Sequence, residues 1–185
     1  MAGSDRRGIA VVLDAVRRVA LDIESATSIV PLPKGAPPPA PQDPDGLYDA
    51  MVTNADLRAN TRKLFRDGHY AQAVEQACKL LNNSVKARCG STKDGPDLMH
   101  HAFGGSTPPL RINRLKTESH RAEQEGYRFM FAGVMSGLRN PRAHEHLLRD
   151  EPETALEMLI IANHLMATLA RATRTRRRRS TTLAP

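Results

Sequence analysis

The stretch that decides the fold runs from Gly126 to Glu145 and reads GYRFMFAGVMSGLRNPRAHE. Its apolar residues recur at three- and four-residue spacing, which predicts that one face of a helix is buried. These residues are Tyr127, Met130, Phe131, Val134, Met135 and Leu138. Pro141 lacks an N–H and disfavours the α region for the residue before it, so we expect the helix to end or kink at Arg139–Asn140.

Two polar residues at this break, Arg139 and His144, are candidates for phosphate chemistry. If helical geometry resumes after Pro141, the two side chains can project into the same space. A guanidinium holds a phosphate through fixed, bidentate donors, and an imidazole can move a proton near neutral pH. The alternative is structural: Arg139 caps the end of its helix, where a cation is favourable, and His144 fills a polar turn.

The segment RNPRAH at 139–144 resembles the Arg-x4-6-His motif of HEPN-superfamily ribonucleases, in which Asn frequently follows the Arg. Four blocks resemble, more specifically, the Ymh family of bacterial and phage-borne proteins in that superfamily. They are FRDGHYAQAVEQACKLLNNSVK at 65–86, DGPDLMHHAF at 94–103, EQEGYRFMFAGVMSGLRNPRAHE at 123–145 and ALEMLIIANHLMATLARA at 155–172. The spacing alone is weak, because Arg62 with His69 and Arg114 with His120 also match it. Only the segment at 139–144 joins this spacing to an Asn-Pro pair at the end of an apolar helix.

The resemblance implies a metal-independent endoribonuclease that requires no cofactor. His144 would be the general acid or base acting on the ribose 2′-hydroxyl or the leaving oxygen. Arg139 would neutralise the scissile phosphate, and Asn140 would orient the phosphate or the histidine. Arg142 would add a contact to the RNA backbone.

The same resemblance implies partners and a setting. Such proteins are usually homodimers in which two motifs face one another across a cleft. They commonly serve in phage defence, abortive infection or toxin–antitoxin systems, so we expect RNA and an antitoxin or defence-system protein as partners. Some HEPN domains bind nucleic acid or protein without cutting, so a non-catalytic interaction module is the alternative function. A weaker alternative is a helical regulatory subunit that recruits a partner through its first helix.

The composition favours packed helices, because aromatic residues are few, Trp is absent, and Ala, Leu, Val, Ile and Met are plentiful. We predict an all-α, HEPN-like, up-and-down bundle of about four main helices over residues 47–173. An amphipathic helix within residues 1–30 and a Pro-rich linker over 31–46 precede it. The first helix would dock on its own bundle, or it would reach another subunit or a different protein.

Residues 174–185 form a basic tail on an otherwise nearly neutral chain. Six arginines near the C-terminus supply most of the formal charge of +7: Arg171, Arg174, Arg176, Arg177, Arg178 and Arg179. Clustered arginines attract nucleic acid through counterion release, so Arg174 and Arg176 to Arg179 are candidate RNA contacts. A disordered, solubilising end accounts for the charges equally well.

Capping signals divide the bundle into elements. Asn54 is expected to cap a helix through Arg66, and Asp67-Gly68 to turn the chain into a second long helix. Residues 94–103 are expected to form a short helix, followed by a connection with a strand-like piece near Leu110. Thr117 or Ser119 would cap the central helix. A capping box of Asp150 and Glu153 would start the last helix, from about residue 153 to 173.

Metal, disulfide and membrane functions find little support in the sequence. Cys78 and Cys89 form neither a disulfide framework nor a close ligand pair, and Cys78 is expected to be a core residue. His100 and His101 are adjacent, so on a helix they point about 100° apart and do not easily bind one metal. No apolar stretch is long enough to cross a bilayer, and no convincing signal peptide is present, so we expect a cytoplasmic protein.

Overall fold

The computed structural model describes residues 43–144 and 149–175, and it is an all-α bundle as predicted. In chain order the elements are α1 (Pro44–Met51), α2 (Ala55–Arg66), α3 (Tyr70–Cys89), α4 (Gly95–Phe103), β1 (Leu110–Arg111), α5 (Glu118–Gly133), a π-helix (Val134–Arg139), α6 (Asn140–His144), α7 (Pro152–Arg171) and β2 (Thr173–Arg174). The predicted N-terminal helix, the linker up to residue 42 and the tail from Arg176 lie outside the described residues. Of the helices described, none is long and apolar enough to cross a membrane.

Side-chain caps start α2 and α5 where the sequence predicts them, and a glycine ends α2 at its predicted turn. The Asn54 side chain accepts a hydrogen bond from the Leu57 N–H at 2.9 Å, which satisfies a backbone donor in the first turn of α2. Gly68 has φ 76°, a left-handed conformation that glycine adopts without strain, and it turns α2 into α3. Thr117, rather than Ser119, caps α5 by accepting from the His120 N–H at 3.2 Å.

The first helix of the bundle, α1, was not predicted. Its start at Pro44 lies inside the segment expected to be linker, because Asp43 caps the first turn by accepting from the N–H groups of Asp45 and Gly46. Proline suits this position, where no intrahelical N–H partner is lost. The Tyr48 hydroxyl then lies 2.7 Å from Thr61 Oγ1 in the core, which fixes α1 against α2.

Helix α3 is the centre of the bundle. It packs against α2, α4 and α7, and also against the π-helix. Residues at helical spacing along α3 are buried, including Val74, Ala77, Leu81 and Val85. The stacked rings of Phe103 and Phe131, with centroids 4.3 Å apart, join α4 to α5. The long helices are therefore held around one core, and the π-helix lies directly against it.

A two-residue antiparallel pair closes one end of the bundle. Leu110 pairs with Arg174 and Arg111 with Thr173, so β1 lies beside the segment that follows α7. The strand-like piece expected near Leu110 is thus confirmed. The fold continues through Arg174, which had been assigned to the tail.

Candidate active site

The helix that carries the motif does not end before Pro141. Helix α5 passes into the π-helix at Val134, and α6 follows it directly at Asn140. The Asn140 N–H donates to the carbonyl of Met135, five residues back. In a regular α-helix the Pro141 ring would clash with the carbonyl of Gly137. The wider π-helical turn accommodates the proline, so the helix does not end at Arg139–Asn140; it changes there from π-helical to α-helical geometry and continues to His144.

This continuity separates the two principal motif residues around the helix. Positions five residues apart on an α-helix point in directions roughly 140° apart. Arg139 is partly buried, whereas His144 is exposed, and no hydrogen bond or ion pair joins these two described residues. Asn140 precedes His144 by four positions and therefore lies on the same face. Within one chain, helical spacing therefore places Asn140 and His144 on one face of α6 and Arg139 on a different side of the helix.

The guanidinium of Arg139 is only loosely engaged. Its Nη2 lies 3.8 Å from Asp94 Oδ2, which is too long for a hydrogen bond. Its Nε is buried and has no hydrogen-bond partner in the part of the chain that is described. The side chain is 26% exposed. Buried hydrogen-bond donors without a partner are rare in folded proteins. This one leaves the Arg139 guanidinium able to bind an anionic ligand.

Asp94 is held in place from the other side by α3. Asn82 is buried, and its Nδ2 donates to Asp94 Oδ1 at 2.5 Å while its Oδ1 accepts from the Gly95 N–H at 3.0 Å. The hydrogen bond from Asn82 lowers the pKa of Asp94, and the charges of Lys86 and Arg139 lower it further. The carboxylate therefore remains ionised and keeps its position beside Arg139.

Sequence reasoning missed the role of this Asn82–Asp94 pair. Asp94 was expected only to start a short helix, which it does as the residue before α4. The available signal was Asn82 itself, an amide at a buried helix position next to Leu81. A polar group in such a place requires a partner.

Arg142 has a structural partner in place of a phosphate. Its Nε and Nη2 donate to the two carboxylate oxygens of Asp150 at 2.7 and 2.6 Å, and its Nη1 donates to the Leu138 carbonyl at 2.9 Å. The Arg142 and Asp150 side chains are 5% and 8% exposed. The capping box expected at Asp150 is therefore wrong, and the Arg142 guanidinium, expected to contact RNA, is engaged within the fold. Asp150 pairs with Arg142, and α7 starts without a side-chain cap.

The remaining candidate residues from the sequence differ in their exposure and in their partners. Arg174 is exposed on β2, and Arg176 to Arg179 lie outside the described residues. Cys78 is a core residue, as expected, and burial raises the pKa of its thiol to about 12. The described residues contain no group of three or more side chains that could hold a metal ion. Of the two competing motif matches, Arg62 is committed to Asp49, to which its Nε donates at 2.7 Å.

A family model described as "Protein of unknown function (Hypoth_ymh)" matches residues 52–169. The match includes Arg139, Asn140 and His144, and it excludes the N-terminal segment and the basic tail. The resemblance to the Ymh family inferred from the four sequence blocks is thereby confirmed. No curated protein and no solved structure shows significant similarity to the chain.

Proposed function

The chain belongs to the Hypoth_Ymh family, and we propose that it is a metal-independent, cytoplasmic endoribonuclease of the HEPN type. The observation that supports this most strongly is the state of Arg139. Its Nε is buried and unpartnered among the described residues, and its Nη2 lies 3.8 Å from the nearest carboxylate oxygen. A purely structural arginine would be expected to make full hydrogen bonds, as Arg142 does three positions later.

The proposed reaction is intramolecular transfer of the RNA phosphodiester. A general base removes the proton from the ribose 2′-hydroxyl, whose oxygen attacks the adjacent phosphorus. The bond to the 5′-oxygen breaks as a general acid donates a proton to that oxygen, which leaves a 2′,3′-cyclic phosphate and a 5′-hydroxyl. His144, exposed on α6, is the proposed acid or base, and Asn140 on the same face would orient it or the phosphate. Arg139 would neutralise the charge that develops on the phosphate oxygens.

The separation of Arg139 from His144 supports a site assembled from two chains. An exposed stripe of Gly126, Met130, Gly133 and Gly137 runs along α5 and the π-helix at three- and four-residue spacing, and it leads toward Asn140 and His144. Open space lies above each of the three glycines. Glycine allows close approach of a second backbone, and Met130, which the apolar spacing wrongly predicts to be buried, is 46% exposed beside them. Phe129, which is 55% exposed, borders the stripe.

We infer that a second copy of the chain packs on this face in a two-fold dimer. Such a dimer would place the motif helices of the two chains next to each other. His144 of one chain would then share a cleft with Arg139 of the other. Within one chain the two side chains do not meet, because they point to different sides of the same helix. The proposed cellular setting follows from the resemblance: phage defence, abortive infection or a toxin–antitoxin system, with an antitoxin or defence protein as a partner.

A non-catalytic interaction module is the second candidate. It is favoured by the ion pair that Asp94 forms with Arg139, because a paired arginine can serve the fold. In this case Arg139 and His144 would stabilise a dimer interface, and the arginines from Arg174 to Arg179 would bind nucleic acid.

Cleavage of RNA in the presence of EDTA tests the proposal. The enzyme should cut RNA at an unchanged rate after chelation and leave cyclic phosphate ends, because no metal takes part in the proposed steps. The interaction module should bind RNA and leave it intact. Abolition of cleavage by EDTA would exclude the metal-independent mechanism.

A further inference from the structure

A second basic site lies at the end of the bundle where β1 meets β2. It is a cleft of about 780 Å³, and Arg111, Arg114, Lys116 and His120 line it. We call these four residues and the space between them the basic cleft. No carboxylate is among the lining residues, and the Glu123 carboxylate beside them accepts a hydrogen bond from the lining residue Asn113 at 2.8 Å. Field lines from clustered charges concentrate in such a concave space and attract anions.

Two of the lining side chains carry unsatisfied polar atoms. Arg111 Nε and His120 Nδ1 are both buried from solvent, and neither has a hydrogen-bond partner among the described residues. Buried polar atoms in folded proteins nearly always have partners, so these two atoms remain available to hydrogen-bond a group bound in the cleft. Both atoms can donate to an anion, the histidine when its Nδ1 carries a proton.

The wall of the basic cleft is held rigidly. The buried amide of Gln124 accepts from the Ile112 N–H at 2.9 Å and donates to the carbonyls of Leu110 and Phe103 at 3.0 and 2.8 Å. These bonds fix the loop that carries Arg111 and Arg114 onto α5. The site is therefore formed before a ligand arrives, which lowers the entropic cost of binding.

A second set of hydrogen bonds, made by Asn113, shapes the same loop. Asn113 donates to the His120 carbonyl at 2.7 Å and accepts from the Leu115 N–H at 2.9 Å. Leu115 adopts φ 53°, a left-handed conformation that is costly for a branched side chain. Strained residues of this kind cluster at ligand sites, where the surrounding contacts over-determine them. Here the strain falls between Arg114 and Lys116, the two exposed cations of the basic cleft.

We propose that the basic cleft binds a phosphate ester, at a site separate from Arg139 and His144. Arginine forks match phosphate oxygens, and lysine adds a compact positive charge. No Phe, Tyr or Trp lines the cleft, and its cations are suited to the phosphate more than to the nucleobase. Thr173 on β2 also lines it, and the sequence continues from Thr175 into Arg176–Arg179. Phosphate binding in the basic cleft needs no cleavage and is compatible with either candidate function.

Two probes distinguish an RNA strand from a free nucleotide as the source of the phosphate ester. The first is labelled 2′-O-methyl RNA, which lacks the attacking hydroxyl and cannot be cut by the proposed mechanism. The second is 5′-AMP, used both alone and as a competitor. Fluorescence anisotropy and calorimetry on the full chain measure their affinities. Competition by AMP would assign the site to any phosphate ester, whereas RNA binding without competition would assign it to a strand backbone.

The test variant is Arg114→Gln with Lys116→Gln, which changes two exposed side chains and should leave the fold intact. Its matched control, Lys93→Gln with Arg121→Gln, removes the same charge from exposed positions outside the cleft lining. We expect the test variant to lose about tenfold or more in affinity for the bound probe. For RNA, its log–log salt slope should fall by about 1.4, since each lost contact to a single strand accounts for about 0.7. The control should change neither quantity appreciably.

Equal affinities of the test and control variants would overturn the proposal, and so would failure of both probes to bind the wild type. RNA cleavage is scored separately with unmodified RNA. Loss of cleavage with intact cleft binding would count against the ribonuclease alone, whereas cleavage without cleft binding would count against this inference alone.

Discussion

The carboxylate of Asp94 lies 3.8 Å from Nη2 of Arg139 and accepts a hydrogen bond from Asn82 at 2.5 Å. It balances the guanidinium charge without forming a hydrogen bond to it. A phosphate offers more oxygens and can take two parallel N–H bonds from an arginine. We therefore expect an RNA phosphate to displace Asp94 from Arg139, with Asn82 holding the carboxylate in position nearby.

The first prediction concerns stability and pH. The folded-state pKa of Asp94 is lowered, so its stabilising effect is present above the unfolded pKa, near 4, and is lost as pH falls through the lower folded value. Asp94→Asn should therefore lower the melting temperature at pH 7, and the difference from wild type should shrink below about pH 4. Thermal melts across pH test this. Glu157→Gln, on an exposed position of α7, is the control. A difference that persists at low pH would contradict the assignment.

The second prediction concerns the hydrogen bonds that join Asn82 to Asp94 and Gly95. Asn82→Ala would leave the Gly95 N–H and the Asp94 carboxylate without their partner, and should cost about 1–3 kcal/mol in the free energy of unfolding. Asn83→Ala, at the exposed neighbouring position, should be nearly neutral. Urea unfolding measures both. Equal effects from the two variants would show that the Asn82 hydrogen bonds make no specific contribution to the free energy of unfolding.

The third prediction concerns the pair formed by Arg142 and Asp150. Removing one partner of a buried ion pair typically costs about 3–5 kcal/mol, because the other charge remains buried and unpaired. Arg142→Met should therefore destabilise the bundle strongly. The double variant Arg142→Met with Asp150→Leu should recover much of this loss. If the single variant is as stable as wild type, the pair is not a structural element.

The fourth prediction concerns the proposed dimer. Met130→Glu places a charge on the glycine-rich face of α5 and should yield monomers in light scattering. Met51→Glu changes a methionine of nearly equal exposure, 48% against 46%, on α1, away from that face. This control should keep the wild-type mass. A dimer that tolerates Met130→Glu would place the interface elsewhere.

The fifth prediction concerns which chains supply Arg139 and His144. Arg139→Ala and His144→Ala should each be inactive, yet a mixture that exchanges subunits should regain activity. If the site takes Arg139 from one chain and His144 from the other, half of the dimers formed at random are mixed and each has one intact site. The activity should then approach about a quarter of the wild-type level. A mixture that remains inactive after proven exchange would place both residues in the same chain.

Local signals in the sequence were enough to predict most helix boundaries. Asn54, Gly68 and Thr117 act through their own backbone neighbours, so their roles can be read from adjacent residues. The effect of Pro141 could not be read in this way. The rule for proline predicts a break, but the buried residues Val134 and Met135 favour continued packing against α3. The π-helix accommodates the proline and keeps Val134 and Met135 buried against α3. The tertiary contacts of these two residues, which the local sequence does not show, therefore decide that the chain stays helical.

Features that join distant segments escaped the sequence analysis. Asp150 resembled a helix cap until its partner Arg142 was known. The basic cleft draws its lining from β1, the following loop, the first turn of α5 and β2. Arg114 and His120 match the motif spacing, but no Asn-Pro pair follows Arg114. Their shared cleft became visible only with the fold.

The measurement that tests the central claim most directly is single-turnover RNA cleavage in EDTA by wild type, Arg139→Ala and His144→Ala. Arg121→Ala and His101→Ala, at exposed positions, control for loss of charge and imidazole. We predict cyclic phosphate ends, a loss of about 100-fold or more in each motif variant, and unchanged rates in both controls. Cleavage by the His144→Ala protein at the wild-type rate would contradict the assignment of this site.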